Sequence, residues 1–264
     1  MAANPVFLTV SEPDPAFPQQ RCIIFVKKEI MKTYVRIGVC LLLMITISCR
    51  KSITDGLVAY YPFDGDANDC SGHANNGIFD GAVLTANRFG KANSAIRFDG
   101  IAATISAKVT GMPAVDAPQS FSWWFLIEQP PTYIDSLGAD NMIALVDTVK
   151  GIGVQTGFRA PGYHSRGLDI WYWGGRTVLE SPQPALNKWH HCVYTYDGSI
   201  HRFYLDGQEY AQSDAKPQTG IPDILMFGNY PSGDQFFQGN LDDIRIYNRV
   251  LTQSDVEVLY KLRE

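Results

Sequence analysis

From Leu57 to the end of the chain, short runs of apolar and aromatic residues alternate with polar turn residues. Asp-Gly and Gly-Gly pairs separate several of these runs, and such pairs are strong signals for tight turns. Many short strands at similar spacing, with no long amphipathic helix between them, predict an all-β, antiparallel two-sheet jelly-roll sandwich. The predicted strands are Leu57–Phe63, Ala95–Phe98, Ala103–Ala107, Ser120–Glu128, Met142–Val149, Gly153–Arg159, Leu168–Trp173, Thr177–Glu180, Trp189–Tyr196, His201–Leu205, Ile224–Phe227 and Phe236–Tyr247.

The clearest local signal is a hairpin in which Trp189–Tyr196 and Ser199–Leu205 flank the pair Asp197-Gly198. An Asp-Gly pair between aromatic and β-branched runs is a strong hairpin signal. A second hairpin is predicted at Asp206-Gly207, directly after this one.

One short helix is predicted near the C-terminus. Thr252 is followed three residues later by Asp255, as in a capping box at a helix start. Val256, Leu259 and Tyr260 then fall on one helical face, so we expect the helix to lie against the sandwich.

A basic, then apolar, then small-residue segment precedes the predicted sandwich. Lys32 and Arg36 are followed by the apolar run Ile37–Ile47, and Ser48 then precedes Cys49. An apolar run of this length suits a signal-peptide core and is too short to span a bilayer. The order resembles a bacterial lipoprotein signal, in which the cysteine becomes the lipidated first residue. The alternative is a buried apolar strand or helix.

This resemblance implies a definite organisation of the chain. Residues 1–30 would be a wrongly assigned extension, because translation would begin at Met31. Residues 31–48 would be the signal peptide, 49–55 a linker after the lipidated Cys49, and 56–264 the sandwich. The protein is then expected to be a lipoprotein of the bacterial outer membrane or cell surface, held to the membrane through its lipid alone.

Charge and cysteine content narrow the classes of function. The 264 residues carry a net charge of −5 without a basic run, which argues against a nucleic-acid partner and against docking on anionic lipid. No two cysteines form a C-x-x-C pair, so zinc-knuckle and thioredoxin-like sites are not supported. Within the predicted sandwich, Cys70 and Cys192 could form one disulfide, but two leftover cysteines carry no framework signal, and free thiols are expected.

Three stretches in order resemble the laminin-G-like, concanavalin A-like jelly-roll family. They are LVAYYPF at 57–63 with the polar loop after it, NKWHHCVYTYDG at 187–198 with FYLDG at 203–207, and FQGNLDDIRIYNRVL at 237–251. Their order and spacing match the family across about residues 55–262. The resemblance implies the two-sheet jelly roll, but members include sugar binders, adhesion modules and domains of polysaccharide-degrading enzymes, so it leaves the ligand open.

A structural calcium site is a further expectation. Asp242 shares strand parity with Ile244 and Ile246, which predicts that it points into the core, where a carboxylate needs a partner or a metal. The loop after the first strand offers hard oxygen ligands of the kind that Ca²⁺ prefers. Related modules often hold Ca²⁺ near these segments, which implies Asp69 and Asp242 as first ligands and Asp64 and Asn76 as second ones. An ordinary polar turn is the alternative.

Aromatic residues suggest a binding platform for sugars. Trp171 and Trp173 share one face of a strand and Tyr172 takes the other, while Tyr163, His164 and Arg166 precede them in a predicted loop. Rings that stack on sugar faces beside polar groups are typical of carbohydrate sites. Core packing is the alternative for any one of these tryptophans.

Catalytic constellations are not evident in the sequence. The Glu-x-Asp-x-x-Glu strand motif of concanavalin-fold glucanases is absent, and His190 and His191 should point to opposite faces of their strand. The sequence therefore predicts a non-catalytic module that binds a glycan or a glycoprotein. The alternatives are a structural or protein-interaction module of a surface complex and a divergent polysaccharide-active enzyme.

Overall fold

Two antiparallel sheets stacked face to face, with one helix, form the part of the chain that the structure describes. The computed structural model describes residues 52–129, 139–159, 167–172, 175–180, 183–231, 233 and 235–263. Fifteen strands and one helix lie in these ranges: β1 Leu57–Tyr61, β2 Ile78–Asp80, β3 Val83–Thr85, β4 Ala95–Asp99, β5 Thr104–Lys108, β6 Gln119–Ile127, β7 Ala139–Asp147, β8 Ile152–Arg159, β9 Gly167–Tyr172, β10 Gly175–Glu180, β11 Trp189–Tyr196, β12 His201–Leu205, β13 Gln208–Ser213, β14 Ile224–Phe227, β15 Gln238–Tyr247 and α1 Gln253–Lys261.

Strand order confirms the predicted jelly-roll sandwich. Sheet A has the order β13-β12-β11-β6-β15-β4-β3, with β1 also paired to β15, and sheet B has the order β10-β9-β8-β7-β14-β5-β2. Consecutive strands pair in β11-β12-β13 and in β7-β8-β9-β10, whereas the centre of each sheet joins strands that are distant in sequence, such as β6 with β15 and β7 with β14.

Three short or polar strands were not predicted. β2 and β3 have three residues each, and β2 is exposed along its whole length, so neither has room for an alternating pattern. β13 reads QEYAQS and has no apolar face to signal a strand. Its partner β12 and the turn at Asp206-Gly207 position it instead.

Both predicted hairpins are present. Leu205 and Gln208 pair directly across a two-residue loop, and Asp206 and Gly207 have φ of +49° and +82°. Positive φ at both loop positions is the type I′ geometry that matches strand twist and favours glycine at the second position. In the first hairpin, the Asp197 carboxylate accepts hydrogen bonds from the backbone N–H groups of Ser199 and Ile200, which hold the turn.

The main core lies between the sheets. Alternate residues of each strand point into it, and its largest side chains are aromatic. The fully buried rings of this core are Trp123, Tyr61, Tyr172, Tyr194, Tyr196, Phe63, Phe98, Phe121, Phe125, Phe158, Phe203, Phe227 and Phe237. The predicted free state of the two sandwich cysteines is confirmed, with Cys192 inside this core and Cys70 exposed.

The predicted helix α1 covers part of the outer face of sheet A. Val256 and Leu259 are buried against Val193 and Tyr247, which lie on the side of sheet A away from the main core. Tyr260 is 37% exposed and stacks on Trp124, at the edge of this contact rather than inside it. Among the described residues, no helix is long and apolar enough to span a membrane.

The capping box of α1 supplies a direct test of how the helix is held. Thr252 Oγ1 accepts a hydrogen bond from the Asp255 N–H at 3.2 Å, and Asp255 Oδ2 accepts one from the Thr252 N–H at 2.9 Å. Thr252→Ala is expected to lower the free energy of unfolding by about 1 kcal/mol in urea titrations. Ser254→Ala, at an exposed position of the same turn, is the control and should change it by less than about 0.5 kcal/mol. Equal effects of the two substitutions would contradict the capping role.

Candidate functional site

One of the five predicted ligand-binding residues, Trp171, lies within the described ranges. Tyr163, His164, Arg166 and Trp173 lie outside them. Trp171 is partly exposed on β9, whereas the next residue, Tyr172, is fully buried in the core. The predicted alternation of these two rings is therefore confirmed, and Trp171 lies on the outer face of sheet B.

A continuous row of side chains crosses sheet B at Trp171. The strand register places Trp171 opposite Gln155, Gln155 opposite Ala144, Ala144 opposite Met226, and Met226 opposite Ser106. Residues directly opposite one another in a sheet share a face. This set, called the Trp171 row below, spans β9, β8, β7, β14 and β5 on the face away from the core.

Gln155 is the unusual member of the Trp171 row. Its residue is 8% exposed, and its Oε1 atom is buried without a hydrogen-bond partner. An unsatisfied buried amide oxygen costs about 1–3 kcal/mol, so a residue of this kind needs a reason to remain polar. Gly153 and Gly157 flank it on the same face of β8, and they place no side chains beside the amide.

Tyr230 lies on the other side of Gln155 from Trp171, next to Ala144 of the Trp171 row. The ring packs on Ala144 and Val146, with Met226 against the same cluster, and burial raises the pKa of its hydroxyl. Since neighbouring strands lie about 4.8 Å apart, Trp171 and Ala144, two strand steps apart with Gln155 between them, are separated by roughly 10 Å. An aromatic ring thus stands on either side of the Gln155 amide.

A carboxylate lies one step along the same face. Asp169 is buried next to Trp171 on β9, and its Oδ1 lies only 3.3 Å from where a Cβ on Gly157 would be. A glycine is required at position 157 mainly by the Asp140 carbonyl oxygen, 2.5 Å from that Cβ position, and it also leaves room for this carboxylate. Gln155, Tyr230 and Asp169 were not predicted from sequence, although the Gly-Val-Gln-Thr-Gly alternation at 153–157 is a readable signal for a polar residue on a bare strand face.

A chain of hydrogen bonds beneath Trp171 ties this part of sheet B to sheet A. The Tyr172 and Tyr194 hydroxyls are hydrogen-bonded, and the Tyr194 hydroxyl lies 2.9 Å from Nδ1 of His201. Nε2 of His201 is 2.7 Å from the Ala215 carbonyl, to which it must donate, so Nδ1 is the acceptor of a neutral ring. Burial lowers the pKa of His201 and raises that of Tyr172. The side chains of these two residues are therefore uncharged at neutral pH. Trp171 therefore directly precedes a residue whose side chain is fixed by this network.

The structure corrects the predicted orientation of Asp242. The register shifts between Asp242 and Arg245, and Asp243 takes a φ of +50°, so β15 contains a bulge. The extra residue reverses the parity: Ile244 and Ile246 face the core, but Asp242 pairs with Trp124 on the outer face of sheet A. The prediction that Asp242 points into the core was wrong because a bulge cannot be read from alternation.

Asp242 is buried there against a guanidinium. Nη1 of Arg88 lies 2.8 Å from Asp242, and Nη2 lies 2.7 Å from Asp243. The bulge residue Asp243 is also 3.1 Å from Arg245 and accepts a hydrogen bond from the Tyr60 hydroxyl at 2.9 Å. An ion pair network, called the Arg88 network below, therefore supplies the partner that this carboxylate needs.

The other predicted calcium ligands lie in separate contacts. The Asp69 carboxylate accepts hydrogen bonds from the N–H groups of Tyr60, Ser71 and Asn75, and Asn76 Oδ1 accepts one from the Asp69 N–H. Asp64 is 2.8 Å from Lys91 in an exposed pair, which lowers its pKa. In the described ranges, no three His, Cys, Asp or Glu side chains are grouped so that they could hold a metal ion. Calcium binding stays a prediction. In the structure, Asp69 and Asn76 make the hydrogen bonds of a polar turn, and Asp242 belongs to the Arg88 network.

The adjacent histidines point to opposite faces, as predicted. His190 stacks on Phe125 and its Nδ1 lies 2.8 Å from Asp206, while His191 lies beside Trp124 on the outer face. His191 Nε2 is 2.9 Å from the Ser122 hydroxyl, but both residues are buried, so this contact supports the fold. Burial, followed by the charge of Arg245, lowers the pKa of His191 to about 3.

This histidine predicts acid sensitivity of the fold. Between pH 6.5 and 3 the unfolded chain binds a proton at His191 that the folded chain does not. The stabilisation is complete above pH 6.5 and is lost as the pH falls, with a slope of up to about 1.4 kcal/mol per pH unit. His191→Gln should therefore reduce the pH dependence of the unfolding free energy between pH 6.5 and 4.5 by about this slope. The control His73→Gln, in an exposed loop, should keep the original slope; an unchanged slope in His191→Gln would disprove the assignment.

A family model agrees with this architecture. The model for Laminin_G_3, described as the concanavalin A-like lectin/glucanases superfamily, matches residues 100–257, which is more than half of the chain. A curated relative, the "Asparagine-rich protein" of Margaritifera margaritifera, is 39% identical over 59 residues. That match covers 22% of this chain and 8% of the relative.

Solved structures share the fold at low sequence identity. Domain 4 of AbnA, a GH43 extracellular arabinanase from Geobacillus stearothermophilus, was solved in complex with arabinotriose; it matches with a TM-score of 0.55 and 22% identity over 78% of this chain and 98% of its own. The binding domain of Paraclostridial Mosquitocidal Protein 1 has a TM-score of 0.61 at 18% identity, over 79% and 52% of the two chains. Trypanosoma rangeli sialidase in complex with sialic acid has a TM-score of 0.59 at 14% identity, over 78% and 33%.

Proposed function

We propose, from the premise that this chain belongs to the concanavalin A-like lectin/glucanases superfamily, that it is a non-catalytic module that binds a neutral oligosaccharide on the outer face of sheet B. The observation that carries this proposal is the buried Oε1 of Gln155, which has no partner and lies beside Trp171 in the same row. A ligand that donates a hydrogen bond to this atom would recover the cost of leaving it unsatisfied.

The chemistry of the face suits a sugar. A pyranose or furanose ring could lie on Trp171, because the C–H groups of a sugar ring pack on an aromatic face. A hydroxyl of the same ring would then reach the amide of Gln155, and Tyr230 would close the far side. A binding site of this kind is largely apolar, with a few fixed polar groups that set specificity.

The comparisons support this class of ligand. The arabinanase domain that resembles this chain was solved with arabinotriose, and the similar part of the mosquitocidal protein is described as its binding domain. We propose a binding rather than a hydrolytic role because the Glu-x-Asp-x-x-Glu strand motif of concanavalin-fold glucanases is absent from the sequence.

Substitution of Gln155 separates function from folding. In Gln155→Leu, an apolar side chain of similar length replaces the unsatisfied amide, so the free energy of unfolding should stay equal or rise. Affinity for the ligand should fall at least tenfold, and Trp171→Ala should remove binding. The measurement is a neutral glycan array on the full-length chain, followed by calorimetric titration with arabinotriose or the best array hit, in calcium and in EDTA.

The matched control is Trp189→Ala, which removes a partly exposed tryptophan from sheet A and should leave this affinity unchanged. Binding that survives both Trp171→Ala and Gln155→Leu would contradict the proposed site. The absence of any glycan signal would favour a protein-interaction module instead, and release of shorter saccharides would favour an enzyme. Equal binding in calcium and in EDTA would argue against a calcium requirement.

We also propose that the module is anchored to a bacterial membrane by lipid on Cys49. The support is the order of a basic region, the apolar run Ile37–Ile47 and the Ser48-Cys49 pair. Cys49→Ser should abolish labelling by radioactive palmitate and move the protein from the membrane fraction to the soluble one. Cys40→Ser, within the apolar run, is the control and should keep both properties. Labelling that persists in Cys49→Ser would refute the anchor.

A further inference from the structure

A second concave surface lies on the opposite side of the sandwich, where the end of α1 passes over sheet A. It is a cavity of about 430 Å³ whose walls include the rings of Phe89, Trp124, Trp189 and Tyr260. Trp124 and Tyr260 stack with their centroids 5.8 Å apart and their planes 16° from parallel. Phe89 is 49% exposed although it borders a cavity. Aromatic rings that remain open in a cavity of this size are typical of ligand sites rather than of core packing.

The polar lining of this cavity is cationic. It includes Arg88, Lys261 and Arg263, and among the residues that the structure describes no Asp or Glu lines it. Lys261 is 3.7 Å from Glu257 in an exposed pair along the helix, a geometry that contributes little. Arg263 forms no ion pair with a side chain that the structure describes. Two basic groups at the rim are therefore available to an anionic ligand.

Arg88 adds a buried donor to the same cavity. Its side chain is 5% exposed and lies over the rings of Phe89 and Trp124, at 4.5 and 4.6 Å from their centroids. Its Nη1 donates a hydrogen bond to Asp242 and its Nη2 lies 2.7 Å from Asp243 in an ion pair, but neither Nη2 nor the buried Nε has a hydrogen-bond acceptor. An Arg N–H that lacks an acceptor in a water-poor site is costly, and an oxygen atom of a ligand would satisfy it.

We infer that this cavity, which we call the α1 cavity, binds a carboxylated saccharide, such as a hexuronic acid residue of an acidic glycan. The apolar face of the sugar ring would stack on the Trp189 and Tyr260 side of the cavity, and its carboxylate would lie between Lys261 and Arg263. A ring or hydroxyl oxygen would accept the hydrogen bond from Arg88 Nε. The inference does not rest on the site proposed at Trp171, because the two surfaces lie on the outer faces of different sheets.

The small positive charge of the α1 cavity favours a ligand with one carboxylate over nucleotides and nucleic acids. Two carboxylates already neutralise Arg88, so the cavity offers about two uncompensated positive charges, which suits one carboxylate better than several phosphates. The chain as a whole carries a net charge of −5, which repels polyanions at long range.

The test compares an acidic and a neutral ligand of the same shape. Calorimetric titrations of the full-length chain would use a galactose trisaccharide in which one residue is replaced by galacturonic acid, so that it carries a single carboxylate, and the corresponding trisaccharide of galactose alone. The acidic trisaccharide should bind about tenfold more tightly, and its advantage should shrink as the ionic strength rises from 0.05 to about 0.5 M, because salt screens exposed charges. Equal affinities for the two trisaccharides, or tighter binding of ATP than of the uronate, would overturn the inference.

Single substitutions locate the ligand. Arg263→Gln and Lys261→Gln should each weaken binding of the uronate about fivefold, and Arg263→Lys should retain part of the affinity. Trp189→Ala should remove most of the uronate binding and leave binding of the neutral trisaccharide at the Trp171 site unchanged. The control Trp171→Ala, on sheet B, should leave uronate binding unchanged, so that failure of either site can be recognised separately. An unchanged affinity in the Arg263→Gln/Lys261→Gln double variant would also overturn the inference.

Discussion

The bulge at Asp243 in β15, held by the Arg88 network, is the constraint on which the rest of this sandwich depends. β15 pairs with β6 along one edge and with β4 and β1 along the other, so a register error there would propagate across sheet A. The bulge costs an unfavourable backbone conformation at Asp243 and brings two carboxylates together. Arg88 spans both of them, and Arg245 and Tyr60 complete the contacts. A buried pair of this kind adds little net stability over an apolar equivalent, but loss of one partner costs about 3–5 kcal/mol. Its role is to set register.

The same network shapes one outer face of the molecule. Arg88 reaches Asp242 from the segment after β3, and its guanidinium lies over the ring of Trp124. Phe89, the next residue, is thereby placed beside the same guanidinium. α1 then packs on Val193 and Tyr247 and presents Tyr260 to the same tryptophan. The α1 cavity is the space left between these parts. Sheet A thus combines an ion pair network, a helix and open aromatic rings, whereas sheet B presents a row of strand residues with one unsatisfied amide, Gln155.

Several features of this fold were readable along the chain, and each rests on a local rule. The strands Trp189–Tyr196, His201–Leu205 and Ile224–Phe227 were predicted to the residue, because Asp-Gly turns bound the first two and Asp223 and Gly228 bound the third. The capping box at Thr252 was predicted for the same reason, since it depends on residues three apart. The face assignments of Trp171 and Tyr172 followed from strand periodicity alone. The site at Gln155 was missed because its meaning depends on burial and on the absence of a partner, which no single strand shows.

The sequence by itself determined the all-β class, most of the strand positions, the two hairpins and the C-terminal helix, because period, turn chemistry and caps act over a few residues. It also carried the family resemblance through three ordered stretches. Only the tertiary structure decided which way Asp242 points, because one extra residue in β15 reverses every face after it and the stabilising partner, Arg88, lies 154 residues away. Only the packed sheets place Gln155, Ala144 and Tyr230 around Trp171, since that arrangement depends on pairing between distant strands.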